Sequence, residues 1–257
     1  MKRESEVTAA ILVIGNEILS GRTRDANVQF LAAALNDDGV RLAEVRIIPD
    51  DHGVIIAALN ELRARHSYVF TTGGIGPTHD DITSEAVAQA FDVELELNPE
   101  AVRRLEAYYK SAEQRASGGI NDMRLRMARI PAGAELVDNP ISAAPGYRIG
   151  NVFVLAGVPR IMQAMYDFLR PQLVGGKKML SQTVTVWTPE GTLAAGLAEI
   201  QSRFPRVEIG SYPFIREDRL GAAIVLRCAD AALLAEAAEE VRQLAQDLGA
   251  DWEDGEG

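Results

Sequence analysis

The chain has 257 residues, 47% hydrophobic and 25% charged, enough for one large domain or a large domain with a small one. A formal net charge of −11 argues against nucleic acid as the main partner, because phosphate backbones need clustered Lys and Arg, but leaves room for a small phosphorylated ligand. The single cysteine, Cys228, excludes an internal disulfide frame and a thiolate metal site, and its apolar run AAIVLRC predicts a small core residue.

Thr8–Ile14 (TAAILVI) reads as a buried strand, and residues 27–36 read as a helix with Asp25 near its start. Strand 40–48, helix 53–65, strand Tyr68–Thr72 and helix 82–91 follow. This alternation predicts an α/β fold with a mostly parallel sheet flanked by helices. Pro99 starts a helix reaching about Ser111, which ASGGIND (116–122) breaks, and residues 121–128 are again helical. NPISAAPG (139–146) is rich in turn residues, YRIGNVFVLAG (147–157) reads as two strands turning at Gly150-Asn151, and Pro159 opens an amphipathic helix to about Leu173.

VGGKK (174–178) reads as a linker. Strand 182–187, helix 192–204, strands 207–212 and 221–228 and helix 231–248 then predict a second, smaller α+β domain, followed by an acidic tail, DWEDGEG, expected to be disordered. The expected domains are therefore 1–176 and 177–250, with a tail at 251–257. MKRESEVTAA lacks the apolar core of a signal peptide, and no run approaches the ~18 apolar residues of a membrane span. A cytoplasmic protein without a membrane partner is expected.

In an open parallel sheet, ligands bind beyond the carboxyl ends of the strands. Three loops leave such ends: GNEILSGRTRDAN (15–27), PDDH (49–52) and GGIGPTHDD (73–81). In the third, Gly73, Gly74 and Gly76 allow the backbone to approach a ligand, and the following helix start offers N–H groups to an anion. The spacing is neither that of a P-loop nor that of a dinucleotide fingerprint. Asp80 and Asp81 would repel phosphate unless a divalent cation such as Mg²⁺ bridges them to it, or one of them orients a water or hydroxyl. The competing reading is structural: Thr78-x-x-Asp81 has the form of a capping box, and Asp50 or Asp51 can cap the second helix.

GNEILSG with Asp25 and Asn27, then PDD, then TTGGIGPTHDDITSEA, resembles the molybdopterin-binding family of MoaB/Mog type, and more specifically the N-terminal region of CinA-type proteins. MARIPAGAELVDNPISAAPG and LAGVPRIMQAM extend the resemblance over about 8–173. IGSYP (209–213) in the small domain resembles the following CinA-type region and the molybdopterin-binding-like part of eukaryotic FAD synthase. The resemblance implies functional roles for Asp50 and Asp81, phosphate contacts at Gly73, Gly74, Gly76 and Thr78, and a homodimer. Gly15, Asn16, Glu17, Pro145 and Gly146 are further expected ligand contacts, and Asp80 and Asp81 the expected metal-binding carboxylates. Ala156 stands where the family usually has proline, and Ser142-Ala143 where it has Gly-Thr. The 257 residues hold no counterpart of the CinA amidase or FAD synthase adenylyltransferase domains.

His52, His66 and His79 lack metal-ligand spacing; His52 and His66 are expected at the surface, while His79 lies in the glycine loop. Trp187 and Tyr212 are expected to pack the small domain, and no GXXG loop supports an RNA-binding module. The leading expectation is a metal-assisted phosphoanhydride hydrolase acting on a nucleotide-like substrate, the resemblance pointing to ADP-ribose. The alternatives are a pterin-binding protein of molybdenum cofactor metabolism without turnover, and an interaction module with a vestigial pocket.

Overall fold

Alternation within the first strand organises the larger of two compact units, residues 1–176 and 177–257. The computed structural model describes residues 7–112, 119–216 and 218–255. The elements of the first unit are β1 (Thr8–Ile14), α1 (Asn16–Leu19), α2 (Asn27–Asp37), β2 (Arg41–Ile48), α3 (His52–Arg65), β3 (Tyr68–Thr72), α4 (Thr83–Ala90), β4 (Leu95–Leu97), α5 (Pro99–Ala112), α6 (Asp122–Leu125), β5 (Arg129–Pro131), β6 (Glu135–Val137), β7 (Gly146–Ile149), β8 (Val152–Leu155) and α7 (Pro159–Leu169). The helix break expected at 116–122 falls partly outside the described residues.

The main sheet has the order β2-β1-β3-β8-β7-β6, parallel from β2 to β8 and antiparallel at β7 and β6. Because successive strand residues point to opposite faces, Ala10, Leu12 and Ile14 pack against Ile55, Leu59 and Leu62 of α3 and Val87 of α4. Ala9, Ile11 and Val13 pack against Leu31 and Leu35 of α2 and Met162, Met165 and Tyr166 of α7. β1 is thus apolar from Ala9 to Ile14 because both faces are covered. Each large apolar side chain buried there contributes about 1.5–3 kcal/mol. Edge strand β2 alternates in burial instead. Short strands β4, β5 and β6, with three residues each, carry too little periodicity to be read in advance.

The second unit contains β9 (Leu180–Val186), α8 (Glu190–Arg203), β10 (Glu208–Arg216), β11 (Arg219–Cys228), α9 (Ala231–Asp247) and β12 (Trp252–Gly255). Its sheet is antiparallel, in the order β10-β11-β9-β12, and its core joins Val184, Ile224, Leu226 and the buried Cys228 to Leu193, Ile200 and Val241 of the helices. The β10–β11 hairpin runs longer than the sequence suggests, through Arg216 and Arg219.

Three expectations are corrected. The stretch read as a disordered acidic tail forms β12, whose Trp252 pairs with Val186 and packs against the core, while Asp254 accepts from Arg242 at 2.9 Å. A local composition count misses this because the partner strand lies far back in the chain. Tyr212 is exposed rather than packed, although Trp187 does meet Phe214 edge-on. The His66 ring is only 7% exposed, set between the Thr8 hydroxyl (3.3 Å) and Glu44 (3.5 Å). Among the described residues, no helix is long and apolar enough to cross a membrane.

Candidate functional site

The carboxyl ends of β2, β1 and β3 lie side by side, so the loops after Ile48, Ile14 and Thr72 share one edge of the sheet. Backbone bonds tie them together. Gly15 N–H donates to Ile48 O (3.1 Å), and Asn16 N–H donates to Asp50 Oδ2 (2.8 Å). Gly15, Asn16 and Glu17 begin the one-turn helix α1, where the sequence reading has only a loop. The two neighbouring aspartates divide their work. Asp51 caps α3, accepting from Val54 N–H at 2.9 Å, a contact typically worth about 1 kcal/mol. Asp50 instead holds the β1 loop and is left at the strand edge.

The glycine loop is held by its two ends. Gly73 N–H donates to Leu155 O of β8 (3.2 Å). Its φ is +103°, and a Cβ there would lie 2.1 Å from Ile14 O. Gly74 has φ +67°, and a Cβ there would lie 2.2 Å from Thr83 Oγ1. Thr83, fully buried at the start of α4, straps the loop down: its hydroxyl donates to Gly73 O and its amide to Gly74 O, both at 3.0 Å. Between these anchors, the amides of Gly74, Ile75 and Gly76 have no hydrogen-bond acceptor among the described residues, and all three residues are partly exposed. Consecutive unengaged amides around a left-handed residue form a concavity suited to an anion.

Thr78 and Asp81 close the far side. Asp81 Oδ2 accepts from Thr78 N–H (2.8 Å) and from the Thr78 hydroxyl, and Asp81 N–H donates to Thr78 O (3.3 Å). These bonds follow the pattern read as a capping box. They stand within the loop, however: α4 begins at Thr83, and its cap position is Ile82. A Cβ at Gly76 would lie 2.6 Å from Asp81 Oδ2, so the glycine lets the carboxylate close under the loop. Thr78 therefore meets Asp81, and Gly73 meets Leu155, which leaves Gly74, Ile75 and Gly76 as the amides of the loop without an acceptor among the described residues. Asp80 is fully exposed; hydrogen bonding to the Thr78 side chain and to its own amide, helped by His79, holds its carboxyl below the usual range.

A resident metal centre does not fit these residues. No group of three or more His, Cys, Asp or Glu side chains among the described residues is arranged to hold an ion. Asp81 Oδ2 is occupied by two donors from Thr78.

Pro145 and Gly146 lie at the same sheet edge, since β7 starts beside the end of β8, but both are buried. A Cβ at Gly146 would lie 2.5 Å from Val154 O and 3.2 Å from Met165 Sδ, so this glycine admits a close strand–helix contact. Asn139, 3% exposed, folds the SAAPG loop through its bonds to Ser142 and Ala144. At the start of α2, buried Asn27 donates from Nδ2 to Gly157 O (2.8 Å). A Cβ at Gly157 would lie 3.2 Å from Gly73 Cα, so this bond braces the strand ends under the glycine loop.

The sequence reading assigned no role to Ile75, Thr83, Asn139 or Arg126. The amide of Ile75 carries no signature in its side chain. Thr83 acts on backbone atoms and Asn139 on both backbone and the Ser142 hydroxyl, bonds that no local sequence pattern announces.

Fold and loop together define a class: an open, mostly parallel α/β protein with a glycine loop at the carboxyl edge of its strands. Residues 10–174 match the family described as a probable molybdopterin binding domain, and the chain belongs to that family. Residues 178–250 match the domain described as the middle domain of FAD synthase. A CinA-like protein of Citrifermentans bemidjiense is 36% identical over 241 residues, covering 91% of this chain and 57% of that protein. A probable FAD synthase of Caenorhabditis elegans is 34% identical over 230 residues, covering 81% of this chain and 44% of that protein. The chain thus spans about half the length of these two relatives. The crystal structure of CinA from Thermoplasma acidophilum matches with a TM-score of 0.58 and 30% identity, covering 64% of this chain and 98% of that one.

Proposed function

We propose that the protein hydrolyses a phosphoanhydride bond in a nucleotide-like substrate such as ADP-ribose. The observation that carries this reading is the run of amides without an acceptor at Gly74, Ile75 and Gly76, bordered by Asp81. The amides hold non-bridging phosphoryl oxygens and offset the charge that grows on them as water attacks phosphorus. The water oxygen forms the new bond to phosphorus, its proton passes to a carboxylate, and the bridging P–O bond breaks with its electron pair leaving on the second phosphate. Asp50 is the base in this reading, because its carboxylate faces the strand edge with one oxygen held by Asn16. Asp81 shapes the loop. Were a divalent cation to accompany the substrate's phosphates, Asp80 would be the exposed carboxylate able to meet it, and the ion would offset phosphoryl charge.

Membership of a family described as molybdopterin-binding supports a second reading, in which the same amides hold the phosphate of a pterin without turnover. One assay separates the two. Purified protein is incubated with ADP-ribose, and separately with a phosphorylated pterin, with and without Mg²⁺, and products and retained ligand are resolved by chromatography. AMP and ribose phosphate in equal amounts support hydrolysis. Intact ADP-ribose together with a retained pterin overturns it in favour of binding.

A further inference from the structure

Many arginines in this acidic chain are met by carboxylates: Arg46, Arg65, Arg104, Arg129, Arg170 and Arg203 all lie within ion-pair distance of Asp or Glu. Arg126 is among those that are not, and its place in the fold sets it apart. It stands in the single 3-10 turn at Arg126–Ala128 that follows α6, half-buried, in a cleft that also contains Gly76, Asp81, Ser84, Glu85 and Arg129. Among the described residues no carboxylate pairs with it, and the one hydrogen bond of its guanidinium is a long one, to the backbone oxygen of Asp81 (3.5 Å).

The neighbours explain why. The cleft holds two carboxylates, and both are engaged. Asp81 accepts from the amide and hydroxyl of Thr78. Glu85 faces Arg129 at 3.2 Å and the His52 ring at 3.7 Å. A guanidinium carries five N–H donors in a rigid fork that fits carboxylate or phosphate oxygens. Half-buried and nearly unpartnered beside a loop of amides without acceptors, Arg126 has the chemistry of an anion receptor.

We infer that Arg126 is a specificity residue of the glycine-loop site, donating to a second set of oxygens on the phosphoryl chain seated at Gly74–Gly76 and so selecting ligands with at least a diphosphate. This rests on the proposed reading of that loop as a phosphoanhydride cradle. It goes further by naming the group that distinguishes a diphosphate from a singly phosphorylated or neutral ligand.

The test uses inorganic pyrophosphate, orthophosphate and ADP-ribose, titrated calorimetrically into the whole chain at several salt concentrations. Wild type is compared with Arg126→Gln and Arg126→Lys, with thermal unfolding recorded for each. The expected result for Arg126→Gln is pyrophosphate and ADP-ribose binding weakened by about 10- to 100-fold, as for loss of a hydrogen bond to a charged group. Its salt dependence should become shallower, orthophosphate binding should change little, and the unfolding midpoint should be preserved. Arg126→Lys keeps the charge but not the fork and should fall between the two. It also carries the test if the glutamine variant does not fold. A variant that binds pyrophosphate as tightly as wild type, with the same salt dependence, overturns the role of Arg126 and leaves the cradle standing. Wild type that binds none of the three ligands overturns the cradle itself, and this inference with it.

Discussion

Two regions of the larger unit use the same residue types in opposite ways. On β2 and α3, Glu44, Arg46, Glu61 and Arg65 form a closed network: Arg46 reaches Glu44 at 2.6 Å and Glu61 at 2.8 Å, and Arg65 reaches Glu61 at 3.0 Å and Glu44 at 3.3 Å. Hydrogen bonding from Arg46 brings the Glu61 carboxyl down to about 2, and that of Glu44 also falls. At the glycine loop, the carboxylate of Asp81 meets Thr78 and that of Asp50 meets a backbone amide, while Arg126 keeps its charge without an acidic partner. Where charges neutralise one another they serve only their own surface. Where a cation and a row of amides lack protein acceptors, they stand open to the ligand proposed above.

That contrast can be broken most severely at Gly73. Its positive φ and the 2.1 Å approach of a Cβ to Ile14 O leave no room for a side chain, because the opposing atom is backbone in a buried strand. Gly73→Ala should cost about 2–6 kcal/mol, combining dihedral strain with overpacking, read as a lower midpoint in urea. A wild-type midpoint would show that the loop is not built as described.

The next largest effect is on rate. Asp50→Asn keeps an acceptor for Asn16 but removes the base, so turnover of ADP-ribose should fall by about 10²-fold or more with folding intact. Asp81→Asn, as a change in a loop brace, should lower turnover far less; equal losses in the two variants would return a catalytic role to Asp81. Thr83→Val leaves Gly73 O buried without its donor and should cost about 1–3 kcal/mol, visible in the same urea titration.

The smallest effect belongs to the closed network. Glu61 has a folded-state carboxyl at about 2 against an ordinary 4.5. Its stabilising contribution is therefore complete above the ordinary value and disappears as pH falls toward 2. Glu61→Gln should flatten the acid end of the stability profile slightly, and added salt should erase the difference, since the group is exposed. A change persisting in high salt would mean that the network is more than surface chemistry.

Much of this was legible in the residues. Continuous apolar runs such as TAAILVI and YVF identify strands covered on both faces, and the glycines with their following aspartates mark the loop that matters. What remained hidden depends on partners distant in the chain. Asn27 meets Gly157, and Arg126 approaches Asp81 across the fold. Ile75 contributes only its amide. The division between Asp50 and Asp51 follows from where α3 starts, a matter of one residue. His66 read as a surface histidine because its cover comes from Thr8 and Glu44, on two other strands.

The sheet of the smaller unit has one further consequence, for synthesis. Strand β9 is among the first of that unit to be made, yet one of its two neighbours, β12, is the last. Until Gly255 has cleared the ribosome, β9 presents an open edge to whatever strand is nearby, and an open edge invites pairing with another chain. The larger unit is complete in sequence well before that point and can fold as it emerges. The smaller one has to wait for its closing strand, so a nascent chain stalled before Trp252 should be the species most prone to self-association and to capture by chaperones.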